Sequence, residues 1–154
     1  MKMNSWSIGY SERERLLIEM LSLPAGDCGY DWISTRVIID VGGFHGDTQV
    51  MITLTDMKRF RSQLNNLYKT LTGEAEFTTV EDQVRFKLTT DGLGHIGLNG
   101  HLMDNAGMGN RLAFSLELDQ TFLQKTLSEL EQAIVAAEQP VDEQGGVTNA
   151  NTRR

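Results

Sequence analysis

Residues 32–73 read WISTRVIIDVGGFHGDTQVMITLTDMKRFRSQLNNLYKTLTG and contain a strand pattern followed by a helix pattern. Residues 32–41 and 50–54 are rich in β-branched side chains and nearly alternate between apolar and polar. They predict a β-hairpin with a long or bulged connection around Phe44–Thr48. From residue 55 the apolar spacing changes to three and four, which predicts an amphipathic helix with Thr55 or Asp56 as its N-cap and an end before Gly73.

The N-terminal residues predict further strands. Trp6, Ile8 and Tyr10 alternate with small or polar residues, which is typical of a half-buried strand. The leucine-rich segment from Arg13 to Leu23 fits both a helical period and a period of two. We favour a strand, because the turn-forming residues Pro24, Gly26 and Gly29 follow it.

After Gly73 the alternation returns. It predicts strands at Glu74–Val80, Gln83–Leu88, His95–Leu102 and Arg111–Leu118, separated by Asp91-Gly92 and by the turn-forming segment Asp104–Asn110. A second helix is predicted with Asp119 as its cap and an end near Gln139, before Pro140. Its apolar side is formed by Phe122, Leu123, Leu127, Leu130, Ile134 and Val135.

The two helical segments align with each other. LTDMKRFRSQLNNL from Leu54 matches ELDQTFLQKTLSEL from Glu117 without a gap, which indicates either an internal repeat or the generic pattern of strand, aspartate cap and helix. The first helix carries a net charge of +3 between residues 55 and 72, and the second carries −3 between residues 119 and 138. Side-by-side packing would bring these opposite charges together.

The predicted fold class is therefore α+β, with a largely antiparallel sheet in the order strands-helix-strands-helix and two amphipathic helices packed on it. Residues 1–138 are predicted to form one domain, a size that suits a single hydrophobic core. Residues 139–154 lack apolar periodicity and are predicted to be a polar, disordered tail.

Composition excludes several classes of protein. The formal net charge of −7 argues against direct binding of nucleic acid, which usually requires a basic face. The single cysteine, Cys28, excludes an intramolecular disulfide. No signal-peptide pattern and no apolar run of membrane-spanning length occurs, so we expect a cytoplasmic protein without a membrane partner.

No motif indicates catalysis or a cofactor. His95 and His101 are six residues apart, so one strand would place both on one face, but a third metal ligand with recognisable spacing is missing. The glycine-rich segments Gly42–Gly46 and Asp91–His95 link strand to strand and are therefore interpreted as turns, not as phosphate-binding loops. We expect neither an enzyme nor a metal site.

Four segments together carry a family resemblance: GGFHG at Gly42–Gly46, LTGEAEF at Leu71–Phe77, DGLGHI at Asp91–Ile96 and FSLELDQTFL at Phe114–Leu123. In this order they resemble the WapI-type immunity proteins, small bacterial cytoplasmic antitoxins that protect a cell against the C-terminal nuclease of a wall-associated toxin. The resemblance covers about residues 32–130.

The resemblance implies an immunity-type protein that binds a cognate nuclease toxin and occludes its basic substrate groove, without a cofactor. It implies an acidic contact surface, for which the candidates are Asp47, Asp91, His95, Asp104, Glu129 and Glu131. The alternatives are a non-catalytic binding or scaffold domain with another partner, and an enzyme of unrecognised type. No oligomeric state is predicted.

Overall fold

The computed structural model describes residues 4–24 and 31–138. Within them lie the elements β1 Ser5–Ser11, β2 Glu14–Met20, β3 Trp32–Val41, β4 Phe44–Thr53, α1 Leu54–Thr70, β5 Glu74–Thr78, β6 Val84–Thr90, β7 His95–Asn105, β8 Met108–Asp119 and α2 Thr121–Ala137. The predicted α+β class and the order strands-helix-strands-helix are confirmed. The strands divide into two antiparallel sheets, ordered β1-β2-β3-β4 and β5-β6-β7-β8. The predicted tail at 139–154, Cys28, Gly26 and Gly29 lie outside the described residues.

The ambiguous leucine-rich segment is a strand. All seven residues of β2 pair with β3, from Glu14 opposite Val41 to Met20 opposite Thr35. Leu16, Ile18 and Met20 are fully buried, so the period of two was the correct interpretation.

Two predicted connections are wrong. The β3–β4 hairpin turns at Gly42-Gly43, where Gly42 has a φ of +58°, and Val41 lies directly opposite Phe44. Phe44–Thr48 therefore belongs to β4, and polar side chains such as His45 and Asp47 face outward from the sheet. Similarly, most of the predicted turn Asp104–Asn110 is strand, because β7 reaches Asn105 and β8 starts at Met108.

Both predicted helix caps shift. Thr53 is the N-cap of α1, because its hydroxyl accepts the N–H of Asp56 at 3.0 Å while Asp56 accepts the N–H of Thr53 at 2.9 Å. Asp56 is thus the third helical residue of a capping box. In α2 the N-cap is Gln120, which forms no side-chain cap, and Asp119 instead accepts the N–H of Thr121 at 2.9 Å.

One hydrophobic core joins the two halves of the chain. At its centre Trp6 of β1, Phe60 of α1, Phe77 of β5 and Phe86 of β6 have ring centroids 5.1–6.4 Å apart. These distances suit tilted, stacked and edge-to-face aromatic contacts. All four rings are fully buried, so each half supplies core for the other.

The two halves of the chain have the same order of elements, because each half is a four-stranded meander followed by a helix. Each helix lies along the edge strand that begins the opposite half. Thr126 of α2 donates to the carbonyl of Ser7 at 2.6 Å, and Glu129 accepts the N–H of Ser7 at 3.0 Å. Gln63 of α1, the position equivalent to Thr126 in the alignment, accepts the N–H of Glu76 at 2.8 Å. The helices thereby satisfy edge groups that strands would otherwise expose.

The two helices also contact each other through opposite charges. Lys58 lies 2.5 Å from Glu138, and Arg61 lies 2.8 Å from Glu131. The predicted apolar side of α2 needs one correction: Phe122 and Val135 are exposed, because that helix buries a stripe centred on Leu123, Leu130 and Ile134. Neither helix in the described part of the chain is long and apolar enough to cross a bilayer.

Candidate partner-binding surface

The segment Asp91–His95 between β6 and β7, which we call the acidic loop, is the most organised exposed turn among the candidates. Asp91 accepts the N–H groups of Leu93 and His95 at 2.7 and 3.2 Å. Its second oxygen lies 2.8 Å from Nδ1 of His95. One carboxylate therefore fixes both the backbone of the loop and the orientation of the imidazole.

The acidic loop presents an apolar side chain at its tip. Leu93 is 84% exposed and stands between Gly92 and Gly94, whose φ angles of +83° and +106° are accessible mainly to glycine. The carbonyl of Gly94 accepts the N–H of Gln120 at 2.8 Å, which ties the loop to the start of α2. Leu93 thus lies on a turn whose position is fixed by hydrogen bonds.

Carboxylates surround this turn. Asp119 lies opposite His95 on β8, and Glu117 lines the same shallow depression as Asp91, His95 and Gly97. The residues that line the depression include no lysine or arginine. Immediately beyond Asp119, the first turn of α2 exposes Phe122, whose ring centroid is 6.0 Å from that of Tyr10. The region combines negative charge with exposed apolar side chains.

The charges of the loop act on each other. The N–H of Leu93, followed by the hydrogen bond from His95, lowers the pKa of Asp91 below its ordinary value. The hydrogen bond to Asp91 raises the pKa of His95. The negative charges of Asp91, Asp119 and Glu117 raise it further. Asp91 therefore stays ionised near neutral pH, whereas His95 retains its proton to a higher pH than an isolated histidine.

Asp47 and Asp104 lie together at the other end of β7, roughly 30 Å from the acidic loop along the strand. Both line a cleft between β4 and the β7–β8 hairpin. Each is engaged within the chain. Asp47 forms two hydrogen bonds with Arg36, at 2.8 and 2.6 Å, which lower its pKa. Asp104 binds the side chain and N–H of Asn110, which lower its pKa.

Glu129 and Glu131 lie on α2 but face different neighbours. Glu129 holds the edge of β1 through Ser7 and contacts Lys125 at 2.8 Å. Glu131 pairs with Arg61 at 2.8 Å beside the groove between the helices. The six candidates are therefore distributed over separate surfaces, and only Asp91 with His95, and Asp47 with Asp104, lie side by side.

The histidines of β7 have separate environments. His95 and His101 lie on the same face of the strand but about 20 Å apart, which is too far to share a metal ion. His101 is buried, with Nε2 3.1 Å from the carbonyl of Asp82 and Nδ1 3.1 Å from the guanidinium of Arg111. No group of three or more potential metal ligands occurs among the residues that the structure describes.

A model of the immunity protein WapI-like family matches residues 7–137. The chain belongs to this family. The match runs from β1 to the last residue of α2, so it includes the acidic loop, both sheets and both helices. WapI-like membership indicates an immunity function, which implies the binding of a toxin protein.

No curated protein matches the chain. Among solved structures, MRP1/MRP2 of Trypanosoma bruciei matches with 11% sequence identity and a TM-score of 0.46, over 87% of this chain and 85% of that chain. A likeness at this level carries no functional argument for the WapI-like chain.

Sequence reasoning missed three residues in or beside the acidic loop. Leu93 could have been found, because an apolar residue between two glycines at the tip of a hairpin has no core position to occupy. Phe122 was assigned to the buried side of α2, since periodicity alone does not locate the edge of an apolar stripe. Glu117 carried no signal, because its position beside His95 depends on the pairing of β7 with β8.

Proposed function

We propose that the acidic loop is the surface through which this WapI-like protein binds and neutralises a nuclease toxin. Leu93 inserts into an apolar depression beside the toxin's substrate groove, and the carboxylates of Asp91 and Asp119 face basic residues that would otherwise hold nucleic-acid phosphates. The groove is then blocked by shape and by charge complementarity. This function needs neither a cofactor nor a catalytic step.

The observation that carries the proposal is the fixed position of an almost fully exposed leucine among carboxylates. Covering a large apolar side chain that is otherwise exposed to water lowers the free energy of the complex. The hydrogen bonds of Asp91 restrict the loop before binding, so less conformational entropy is lost on association. Surrounding carboxylates favour a cationic partner over a neutral one.

The remaining candidates, Asp47, Asp104, Glu129 and Glu131, have a weaker claim. Asp47, Glu129 and Glu131 each form an ion pair with an arginine or lysine of the chain, which offsets their charge, and Asp104 lies roughly 30 Å from the acidic loop along β7. A toxin would have to break or share these contacts. We therefore place them outside the centre of the proposed interface.

The test compares two baits made from the full chain. Leu93→Arg places a cation at the centre of the acidic loop, whereas Val80→Arg, also an exposed apolar residue at 61%, lies in the β5–β6 turn at the opposite end of the sheet. Each bait and the wild type are used to capture proteins from the source bacterium. The captured protein is then purified and assayed for nuclease activity.

We expect wild type and Val80→Arg to retain one basic protein fragment and to inhibit its nuclease activity at a 1:1 ratio, and Leu93→Arg to bind it at least about 30-fold more weakly. Binding should also weaken as salt rises from about 0.1 M to about 1 M, where the screening length falls from roughly 10 Å to 3 Å. Equal capture by Leu93→Arg would remove the acidic loop from the interface. A captured partner without nuclease activity would contradict the proposed target.

A further inference from the structure

In three of the four edge strands, some of the outward backbone groups are bound by side chains. The edges of β1 and β5 are covered by α2 and α1. On β4, the carbonyl of Gln49 accepts from Nε2 of Gln83 at 3.0 Å, and the N–H of Thr53 donates to Asp56 at 2.9 Å. The fourth edge, β8, has no such bond among the described residues.

The outward groups of β8 follow from the pairing of its neighbours. Met103 donates to the carbonyl of Gln83 at 2.8 Å, so the odd-numbered residues of β7 bond to β6 and the even-numbered ones bond to β8. Across the β7–β8 register, even-numbered residues of β8 therefore face β7. The N–H and C=O groups of Arg111, Ala113, Ser115 and Glu117 point away from the sheet.

We propose that this edge pairs with the β8 edge of a second copy of the same chain. The two strands run antiparallel about a two-fold axis at Phe114. Arg111 then lies opposite Glu117 of the second copy, and Ala113 lies opposite its Ser115. The β5–β8 sheets of the two copies join into one continuous sheet of eight strands. Because each copy uses the same edge, the dimer has no further β8 edge with which to add a third copy.

Charge along the strand favours this register. The positive residue Arg111 and the negative residue Glu117 stand symmetrically about Phe114, so the two-fold axis brings two pairs of opposite charge together. Arg111 uses one nitrogen to contact His101, which leaves its other donors available. A register shifted by one pair would place Glu117 opposite Ala113, where it has no charged partner.

The shape of the edge also permits close approach. Ala113 and Ser115, at the centre of the pairing, are exposed and small, and β8 contains no proline. The β7–β8 register is regular from Met103 opposite Arg111 to His95 opposite Asp119. The usual devices that prevent edge pairing, such as bulges, prolines and lysines, are thus missing from Arg111–Glu117. The four residue pairs would form about eight intermolecular hydrogen bonds.

Sedimentation equilibrium on the full chain tests the proposal. We expect the mass to rise with concentration toward twice that of one chain. Glu117→Arg and Arg111→Glu each place like charges opposite each other twice, so each variant alone should dimerise roughly 10- to 100-fold more weakly. A 1:1 mixture of the two variants restores opposite charges at both positions, and we expect it to form a heterodimer of wild-type affinity.

Glu81→Arg is the matched control, because it reverses an exposed carboxylate in the β5–β6 turn, away from β8. It should dimerise like the wild type. A single-chain mass for the wild type up to about 1 mM, where even a millimolar complex is substantially populated, would overturn the proposal. Failure of the mixed variants to associate, with both folded by circular dichroism, would overturn this register. The mass is measured on this chain alone, without a toxin, so a failure to dimerise leaves the proposed toxin surface unaffected even though Glu117 borders it.

Discussion

Gly100 shows how strongly one residue can limit the distance between two strands. It lies opposite Phe86, and a Cβ added there would overlap the carbonyl oxygen of Arg85 and lie 2.6 Å from the Cβ of Phe86. We expect Gly100→Ala to lower the free energy of unfolding by about 1–3 kcal/mol, as overpacking does. Urea denaturation measures the loss. Gly43→Ala, with open space around its Cβ position, should be unchanged or slightly more stable, and an equal loss there would contradict the explanation.

The pairing of His95 with Asp91 predicts how the stability of the protein depends on pH. Because pairing with Asp91 raises the pKa of folded His95, the stabilisation is complete below the unfolded value of about 6.5 and is lost as pH rises through the folded pKa. An NMR titration of the His95 ring should give a pKa above about 6.5 in the wild type and a lower one in Asp91→Asn. Asp104→Asn, at the far end of β7, should leave it unchanged. A wild-type value retained by Asp91→Asn would show that the pair does not control the titration.

The same equilibrium bears on the proposed function. Protonated His95 adds a positive charge beside the carboxylates that are proposed to face a basic toxin. Affinity for that toxin should therefore rise as pH increases through the His95 pKa.

At the scale of the elements, the helices act as covers for strand edges. Thr126 is buried and donates to the carbonyl of Ser7 at 2.6 Å. Thr126→Val keeps the shape but leaves that carbonyl without its donor, so we expect a loss of about 1–3 kcal/mol in the free energy of unfolding. Thr121→Val, on the exposed start of the same helix, should change it by less than about 0.5 kcal/mol. Equal losses for the two variants in thermal or urea denaturation would show that the hydrogen bond to Ser7 does not contribute to stability.

Local patterns predicted the elements better than their connections. Alternation located β2, and the three-and-four spacing located both helices, because these patterns follow from which side of an element is buried. The tight turn at Gly42-Gly43 was missed because the polar residues of β4 resemble a loop when only one side of the strand is buried. The division into two sheets was not predictable in this way, since it depends on contacts between distant segments.

The candidate site was predictable to a similar extent. Asp91 and His95 are close in sequence, so their hydrogen bond follows from local geometry. Glu129, by contrast, is 122 residues from Ser7, and nothing near it in the sequence indicates that it holds the β1 edge. Carboxylates that organise the fold are indistinguishable from free ones until the long-range contacts are known.

For the whole molecule, the shared aromatic core predicts that the two halves unfold together. Phe86 of β6 contacts Trp6 and Phe60 of the first half, with ring centroids 6.4 and 5.3 Å away. We expect Phe86→Ala to destabilise the protein by about 3–5 kcal/mol and to lower hydrogen-exchange protection equally in β3 and β7. Val80→Ala, at an exposed site, should change neither the free energy of unfolding nor the hydrogen-exchange protection of β3 and β7. Loss of protection confined to β7 would indicate two independent units.

The contact of each helix with the opposite half limits what either half could do alone. A single unit of four strands and a helix could not cover its own first strand, since in this chain that cover comes from the other half. Either half made alone would therefore cover that strand only by pairing with a second molecule, with each helix lying on its neighbour. Joining the two halves in one chain replaces an encounter between two molecules with a single folding event, whose rate does not depend on protein concentration.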